Sequence, residues 1–271
     1  MDYSTDLISS EQSIAEHTFI YIIAGAMYLY DGSRNYGLQS GEYGIARRNR
    51  FVRFKKQKVN NEINKVFVFF DERFLRLFQT KYQIRTSLFD NNDTILFLND
   101  SDRVDNFIHS LLPYYDHGKI AEPFSDLKRE ELLLILLQNQ PSLSGILFDF
   151  TEPDRVDIEE FMNRNFSFHV SVQRFAYLTG RSLSAFKRDF YRVFDETPGR
   201  WLVRKRLEEA HFLISKCNKM PTDIYIDLGF ENLSHFSFAF KKHFGFNPSE
   251  LMAKSINRTS RACSEASIST S

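Results

Sequence analysis

The stretches FAYLTGRSLSAFKRDFYRVFDETPGRW at residues 175–201 and IYIDLGFENLSHFSFAFKKHFGFNPSEL at residues 224–251 follow one pattern, about fifty residues apart. In each stretch a glycine precedes aromatic residues that recur at every fourth position, and a proline follows. A recurrence of four keeps one stripe of an α-helix apolar, and a glycine suits a tight turn between two helices. Each stretch therefore predicts a helix-turn-helix unit. The shared landmarks are Phe175, Gly180, Phe186, Phe190, Phe194, Pro198 and Trp201 in the first unit, and Ile224, Gly229, Phe236, Phe240, Phe244, Pro248 and Leu251 in the second.

Polar residues that favour helix ends set the expected bounds of these units. The first has a short helix from about Val172 to Leu178, a turn at Thr179 to Arg181, and a helix capped by Ser182 that runs to about Phe194. The second has a short helix opened by Thr222 or Asp223 and ending near Leu228, a turn at Gly229 and Phe230, and a helix from the cap Asn232 to Phe244. The pairs Thr197-Pro198 and Asn247-Pro248 then begin further helices, with Glu250 at the capping-box position.

The faces opposite the aromatic stripes carry polar side chains that suit DNA. In the first unit these are Arg181, Ser184, Lys187, Arg188 and Arg192, with Asp189 the only acid among them. Arg and Lys side chains in a major groove reach guanine O6 and N7 or phosphate oxygens. The second unit offers Asn232, Ser234, His235 and Ser237, followed by Lys241, Lys242 and His243. The alternative is an ordinary all-α core whose polar outer faces are solvated, and periodicity alone leaves it open.

These motifs give the segment from about Val156 to Lys254 a family resemblance. It resembles the DNA-binding domain of the AraC/XylS family of bacterial transcription regulators. The residues that carry the resemblance are Arg206-Leu-Glu-Glu-Ala210, Ile224 with Asp227-Leu-Gly-Phe230, and Ser234-His-Phe-Ser-Phe-Ala-Phe-Lys-Lys-His-Phe-Gly245 before Asn247-Pro248. The resemblance implies two helix-turn-helix units joined by one long helix, here about Pro198 to Ser215, with recognition helices in adjacent segments of the major groove. Such a helix is roughly 27 Å long, which suits modules about one DNA turn, or roughly 34 Å, apart.

The resemblance also implies which positions contact bases. They fall on Ser184, Lys187 and Arg188 in the first unit, and on Asn232, Leu233, Ser234 and Phe238 in the second. Many members of the family have Arg at the position of Phe238. A Phe there can touch a thymine methyl or pack internally, but it cannot bind guanine through two hydrogen bonds. We therefore expect the first unit to read sequence more than the second.

Composition excludes several classes of protein. The 35 basic and 35 acidic residues balance, so bulk charge does not drive binding to DNA. The 271 residues suffice for two domains with cores, to which 28 Phe contribute apolar area. Cys217 and Cys263 match neither a metal spacing nor a disulfide framework, which fits a reduced cytoplasm. We expect no signal peptide and no membrane span, since the apolar run Leu132 to Leu137 is too short for one.

The first hundred residues predict short strands separated by turns. The strands are His17 to Ala24, Ala26 to Tyr30, Tyr43 to Ala46, Phe51 to Phe54 and Val66 to Phe70, with turns at Gly25, Asp31-Gly32, Ser40-Gly41 and Asn60-Asn61. This spacing indicates a small β-barrel or sandwich. The region weakly resembles the cupin-like sensor domain found in front of this DNA-binding domain.

The metal ligands of cupin enzymes are missing from this region. His17, His109 and His117 are isolated in sequence, and Arg47-Arg-Asn-Arg50 stands where a His-x-His pair is sought. We therefore expect no metal, no cofactor and no enzymatic activity. Two sets of side chains are left open: Tyr21, Tyr28, Tyr30, Tyr36 and Tyr43 line a ligand pocket or fill the barrel, and Arg47, Arg48, Arg50, Arg53, Lys55, Lys56 and Lys58 form a solvated face or receive an anionic ligand or acidic partner.

Two amphipathic helices, about Asp102 to Asp116 and Pro123 to Gln138, are expected between the barrel and the DNA-binding module. The second is apolar over more than one face, which predicts that Leu133 and Leu136 meet a second subunit while another face covers the barrel. The same pattern also fits a wholly internal helix. The expected domains are a sensor and dimerisation domain at 1–140, a linker at 141–156, a double helix-turn-helix domain at 157–255 and a disordered tail at 256–271.

The sequence thus predicts an α+β protein, with an N-terminal cupin-like barrel and a C-terminal all-α domain. The predicted function is that of a cytoplasmic, homodimeric transcription regulator that binds promoter DNA and activates by contacting RNA polymerase, as the family does. A small-molecule effector or a regulatory protein supplies the signal, and the sequence names neither. Two other classes fit less well: a DNA-repair methyltransferase needs a reactive cysteine upstream of the DNA-binding module, and a cupin enzyme needs the absent His cluster.

Overall fold

A computed structural model describes residues 13–55, 64–87, 93–116, 119–122 and 124–254. The chain divides into two units, Met1–Glu152 and Pro153–Ser271. Within the described ranges, no helix has both the length and the apolar character needed to cross a membrane. The expected turn at Asn60-Asn61, the side chains of His117 and Cys263, and the expected tail at 256–271 lie outside the described residues.

The first unit begins with antiparallel sheets. Its strands are β1 (Ser13–Ile14), β2 (His17–Ala24), β3 (Ala26–Tyr30), β4 (Asn35–Gln39), β5 (Tyr43–Ala46), β6 (Arg50–Phe51), β7 (Arg53–Lys55), β8 (Asn64–Phe70), β9 (Ile95–Phe97), β10 (Tyr115–Asp116) and β11 (Lys119–Ile120). The order β8-β2-β5-β9 forms a four-stranded sheet and β4-β3-β7 a three-stranded one, while β1 pairs with β6 and β10 with β11. In the described residues these are separate sheets and not one closed barrel.

Three predicted strands, β2, β3 and β5, are confirmed with their bounds, and β8 begins two residues earlier than predicted. The predicted strand Phe51 to Phe54 is broken at Val52 into β6 and β7, because the two pieces pair with different partners, β1 and β3. Positive φ angles at Gly25, Gly32 and Gly41 fit the predicted turns.

Helices cover the four-stranded sheet in the core of the first unit. They are α1 (Glu72–Tyr82), α2 (Asp102–Leu111), α3 (Phe124–Asn139) and α4 (Ser144–Leu147), with 3-10 turns at Leu112–Tyr114 and Pro141–Leu143. The structure differs from the expected linker over its first half, because Leu143, Ile146 and Leu147 pack in the same core as α3 and the sheet. Burial of these side chains makes residues 141–148 part of the first unit.

The dimer contact predicted for Leu133 and Leu136 is wrong at both residues. Their side chains are 0% and 2% exposed and pack in the core of their own unit. Large apolar side chains that are exposed in this region lie elsewhere, at Leu112 and Tyr114 in the 3-10 turn after α2 and at Phe124 and Leu127 in the first turn of α3. The pattern of apolar positions in α3 alone does not distinguish the face that covers the sheet from the face that meets solvent.

The two side-chain sets left open by the sequence are mostly engaged within the first unit. Tyr21 donates to Asp105 at 2.8 Å, Tyr43 to the Asn99 carbonyl at 2.7 Å, and both rings are buried. Desolvation and the bond to Asp105 raise the pKa of Tyr21 to about 12. In the basic run, Arg48 pairs with Glu72 at 2.9 Å and Arg53 is buried. Neither arginine is therefore on a solvated face; Lys56 and Lys58 lie outside the described residues.

No group of three or more His, Cys, Asp or Glu side chains within the described ranges is arranged to hold a metal. His17 is buried instead, and its Nδ1 lies 3.4 Å from the Arg48 amide. Burial, together with the charges of Arg48 and Arg47, lowers the pKa of His17 to about 3, so the imidazole is neutral in the folded protein.

In the second unit, the described residues form helices and no strands. Its helices are α5 (Ile158–Asn165), α6 (Val172–Leu178), α7 (Leu183–Phe194), α8 (Pro198–Cys217), α9 (Pro221–Ile224) and α10 (Leu233–Phe244), followed by helical residues 248–254. The predicted caps are confirmed at Ser182, which accepts from the Ala185 amide, and at Asn232, which accepts from the His235 amide. Thr197 makes no side-chain capping bond.

Each helix-turn-helix half has an aromatic core of its own. Phe186 and Phe190 on α7 are fully buried, and Trp201 at the start of α8 lies 5.6 Å from Phe190 between ring centroids. The equivalent Phe236 and Phe240 on α10 are also fully buried. The four-residue recurrence is therefore the inner stripe of both second helices, as predicted.

Arg206 of α8 joins the two halves. It is 8% exposed, and its guanidinium donates to the carbonyls of Phe166 at 2.8 Å, Phe168 at 2.8 Å and Gly229 at 3.0 Å. Gly229 has φ +79° in the turn before α10, and a Cβ there would meet the guanidinium carbon at 2.8 Å. A glycine is thus needed both for the backbone conformation and for the approach of Arg206.

Candidate nucleic-acid interface

The outer face of α7 is polar and exposed. Ser184, Lys187, Arg188, Tyr191 and Arg192 all point away from the buried stripe. Because residues four and seven or eight apart share a helix face, they form one continuous strip. The strip offers hydroxyl groups and cationic donors, the groups that contact base edges and phosphates.

Asp189 is the acid around which the arginines of this region gather. Its carboxylate lies 2.8 Å from Arg155, 3.4 Å from Arg181, 3.4 Å from Arg188 and 3.9 Å from Arg192. Desolvation alone would raise the pKa of Asp189, but hydrogen bonds from Arg155 and Arg181 and the charge of Arg188 hold that pKa below its usual range. Asp189 therefore stays ionised and orients its exposed neighbours.

The side chain of Arg181 does not lie on the exposed DNA-facing surface where the sequence predicts it. Its side chain is only 10% exposed, and its Nη1 donates to the carbonyls of Val156 and Thr179 at 2.8 and 2.6 Å. The segment before α5 also lies against Gly180, whose φ is +66° and where a Cβ would meet the backbone of Asp154 at 2.8 Å. Arg181 therefore fastens this segment to the turn and does not offer its charge to a groove.

The outer face of α10 is mixed in character. Ser234, Phe238, Lys241 and Lys242 are exposed and share one face, with Leu233 at the start of the helix. Phe238 is 70% exposed, so the internal packing left open by the sequence does not occur.

Asn232 has a structural task besides its predicted contact with DNA. Its Oδ1 accepts from the His235 amide at 2.8 Å, which uses the side-chain oxygen as the helix cap. The amide nitrogen is the part of this side chain suited to donate to a ligand.

Sequence reasoning missed two residues of this region. Tyr191 had a usable signal, because it stands four residues after Lys187 on the same face. Arg155 had none, because only the fold brings it to Asp189, 34 positions along the chain.

Two protein-family models match the chain. The ExsA N-terminal regulatory domain matches residues 17–145, and a helix-turn-helix domain matches residues 175–254. The second match contains α7, α8 and α10, and hence both exposed strips.

Curated relatives are transcription regulators. The virulence regulon transcriptional activator VirF of Yersinia enterocolitica is 27% identical over 168 residues, or 61% of this chain and 62% of VirF. The HTH-type transcriptional regulator ExsA of Pseudomonas aeruginosa is 27% identical over 125 residues, or 45% of each chain. The matches thus span less than two thirds of either relative. These relatives are regulators of transcription, and the matched domains are a regulatory domain and a helix-turn-helix domain.

Solved structures that are similar to this chain include that of apo ToxT from Vibrio cholerae. The match has a TM-score of 0.40 and 14% identity, and it covers 89% of this chain and 90% of that chain. A probable AraC-family regulator from Rhodopseudomonas palustris covers 36% of this chain and 93% of that chain at 29% identity, with a TM-score of 0.32.

Proposed function

Because this chain belongs to the AraC/XylS family of transcription regulators, we propose that it activates transcription by inserting α7 and α10 into successive major-groove segments of promoter DNA. The observation that carries the proposal is the pair of exposed strips, each on the helix face opposite a fully buried Phe stripe. With 20 residues, α8 is roughly 30 Å long, close to one DNA turn of about 34 Å.

Lys187 and Arg188 are the proposed readers of the first box, because Arg and Lys bind guanine edges and both are exposed at the middle of α7. Ser184 stands one turn before them and contributes a hydroxyl. Arg192, at the end of α7, is proposed to contact phosphate. The side chains of Arg188 and Arg192 are mostly exposed, and each has its guanidinium group near the Asp189 carboxylate. This carboxylate restricts the conformations of both side chains before binding, so they lose less conformational entropy when DNA binds.

In the second box, Asn232, Leu233, Ser234 and Phe238 are the proposed base contacts. Lys241 and Lys242 follow on the last turns of α10 and supply positive charge for phosphates. Since the whole chain has zero formal charge, attraction to DNA must come from such local groups.

The first unit is proposed to receive the signal and to form a homodimer. The exposed side chains of Leu112, Tyr114, Phe124 and Leu127 support a protein contact at the 3-10 turn after α2 and the start of α3, where the rings of Tyr114 and Phe124 lie 5.0 Å apart. The signal is a small-molecule effector or a regulatory protein. Thermal shift with metabolites separates them, because a ligand at a hundred times its Kd stabilises its domain by about 2.7 kcal/mol.

Action in the cytoplasm and contact with RNA polymerase complete the proposal, as expected of this family. In vitro transcription with purified polymerase tests the latter: a promoter bound by the protein but transcribed no better would contradict activation.

The decisive experiment is selection of random and genomic DNA by the full chain at near-physiological salt, since non-specific affinity depends steeply on salt. We expect a motif with two boxes about ten base pairs apart. The double variant Lys187→Ala with Arg188→Ala should lose the first box, at about 1 to 3 kcal/mol for each base contact. Lys216→Ala with Lys219→Ala, which removes two exposed charges outside both strips, should keep both boxes. Recovery of no motif by the wild type would overturn the proposal.

A further inference from the structure

We propose that Phe238 reads a thymine in the second box through its C5 methyl group, so that the two recognition helices use different chemistry at one shared position. The inference rests on the proposed function, because it requires α10 to enter the major groove.

The Phe238 side chain does not contribute to the hydrophobic core of its unit. It is 70% exposed and is the most exposed large apolar side chain of the described residues. Phe236 and Phe240, two positions away on either side, already fill the core of this half and are fully buried. An apolar ring on the opposite face lowers its free energy only when a partner covers it.

The correspondence between the two helix-turn-helix units indicates which surface covers the Phe238 ring. Phe186 corresponds to Phe236 and Phe190 to Phe240, so the buried stripes align and Phe238 occupies the place that Arg188 holds on α7. Both side chains point outward from the middle of the second helix of a helix-turn-helix unit. If α7 brings Arg188 to a base edge, the same geometry brings Phe238 to a base edge on α10.

The chemistry of the ring selects the base. A phenyl group has no hydrogen-bond donor or acceptor of the kind that guanine, adenine and cytosine edges require. The thymine C5 methyl is the apolar group that base edges present in the major groove. An aromatic ring therefore favours thymine over the other bases at this position.

The neighbours of Phe238 favour DNA over an apolar protein surface as the occupant. Ser234 lies one turn before it on the same face, and Lys241 and Lys242 lie one turn after it, all exposed. Burial of two ammonium groups against an apolar partner is unfavourable, whereas phosphates on the rims of a groove are suitable partners for them. The ring then faces the groove floor, with the Ser234 hydroxyl on one side and the two lysines on the other.

The test uses the full chain and its selected site. Each thymine of the second box is replaced in turn by deoxyuridine, which lacks only the C5 methyl. We expect one replacement to weaken binding about four-fold, which corresponds to about 0.8 kcal/mol, the value of one buried methyl or methylene group. With Phe238→Ala the same replacement should have no further effect, as a double-mutant cycle requires for direct contact.

Three further variants sharpen the test. Phe238→Arg should shift the preferred base at that position from thymine to guanine, by analogy with the role proposed for Arg188. Phe212→Ala removes a ring that is 52% exposed on α8 and should leave the response to deoxyuridine unchanged. Phe238→Leu keeps an apolar group and the fold, and it should retain sensitivity to the methyl group if Phe238→Ala proves unstable.

The outcomes separate this inference from the proposed function. If the wild type selects no motif, the proposed function fails. If it selects two boxes but no replacement by deoxyuridine weakens binding, or if the second box contains no thymine, then reading of a methyl group by Phe238 is refuted and the function stands. A loss with Phe238→Ala that is equal on thymine and deoxyuridine also refutes it.

Discussion

Replacing Arg206 by Ala should destabilise the second unit by about 3 to 5 kcal/mol. The change removes three hydrogen bonds from a charged donor, at 2.8, 2.8 and 3.0 Å, and leaves the carbonyls of Phe166, Phe168 and Gly229 without this partner. A hydrogen bond from a charged group contributes about 1.5 to 3 kcal/mol to the free energy of unfolding, and a buried acceptor left without a hydrogen bond lowers it by about 1 to 3 kcal/mol. The sum is smaller than three separate losses because the three bonds share one guanidinium group and their contributions do not simply add.

Fluorescence of Trp201 during urea denaturation is the assay. Trp201 is the single tryptophan of the chain, is 3% exposed and packs on Phe190 and Phe194, so its signal reports the second unit. Arg204→Ala is the matched control on the same helix, because Arg204 forms surface ion pairs with Glu196 and Glu208.

Exposed pairs of this kind contribute about 0 to 1 kcal/mol, so the control should remain near the wild type. Arg206→Lys should fall between the two, since one ammonium group cannot match the three directions of a guanidinium. If Arg206→Ala and Arg204→Ala unfold at the same urea concentration, Arg206 does not join the two halves as described.

Three other changes test separate parts of the structure. Phe190→Ala should destabilise the second unit by about 3 to 5 kcal/mol in the same Trp201 assay, and unchanged unfolding would contradict its place in the core. Lowering the pH from 7 to 5 should cost the first unit about 2 kcal/mol, because the folded pKa of His17, about 3, is below its unfolded value of about 6.5 and the unfolded state binds the proton in that window. This stability is present above pH 6.5 and is lost as the pH falls, and His17→Leu should flatten the loss in near-UV circular dichroism; an equal slope in the variant would exclude His17 as the cause. Leu133→Asp should unfold the first unit by burying a charge, whereas Leu127→Asp should keep the fold and yield monomers in sedimentation; folded monomers from Leu133→Asp would instead return the dimer contact to that residue.

The bounds of α6, α7 and α10 were predictable because local chemistry sets them. A polar cap, a four-residue apolar recurrence and a glycine in the turn all lie within a few positions of each other. The missed helix α1 carried two of these signals, since Asp71 caps it and Phe74, Phe78 and Tyr82 recur every fourth residue.

Contacts between distant parts of the chain were not predictable. Arg181 has the charge and the helix face of a DNA contact, yet its partners come from the segment before α5 and remove it from solvent. Leu133 belongs to a helix that is apolar on several faces, and only the packed sheet decides which of these is internal. Phe238 shows the opposite case, because sequence gave two alternatives and its exposure in the fold excludes one of them.

The sharing of Asp189 among four arginines has a consequence for purification and for titration with salt. One carboxylate is shared with the enclosed Arg181 and offsets only part of the charge of the exposed Arg155, Arg188 and Arg192, so a compact cationic spot exists on a chain with zero formal charge. Anions from the buffer accumulate at such a spot and are displaced when a polyanion docks. Retention on a phosphocellulose column at neutral pH should therefore follow this spot and not the net charge, and eluting salt should compete with the resin for the same few guanidinium groups.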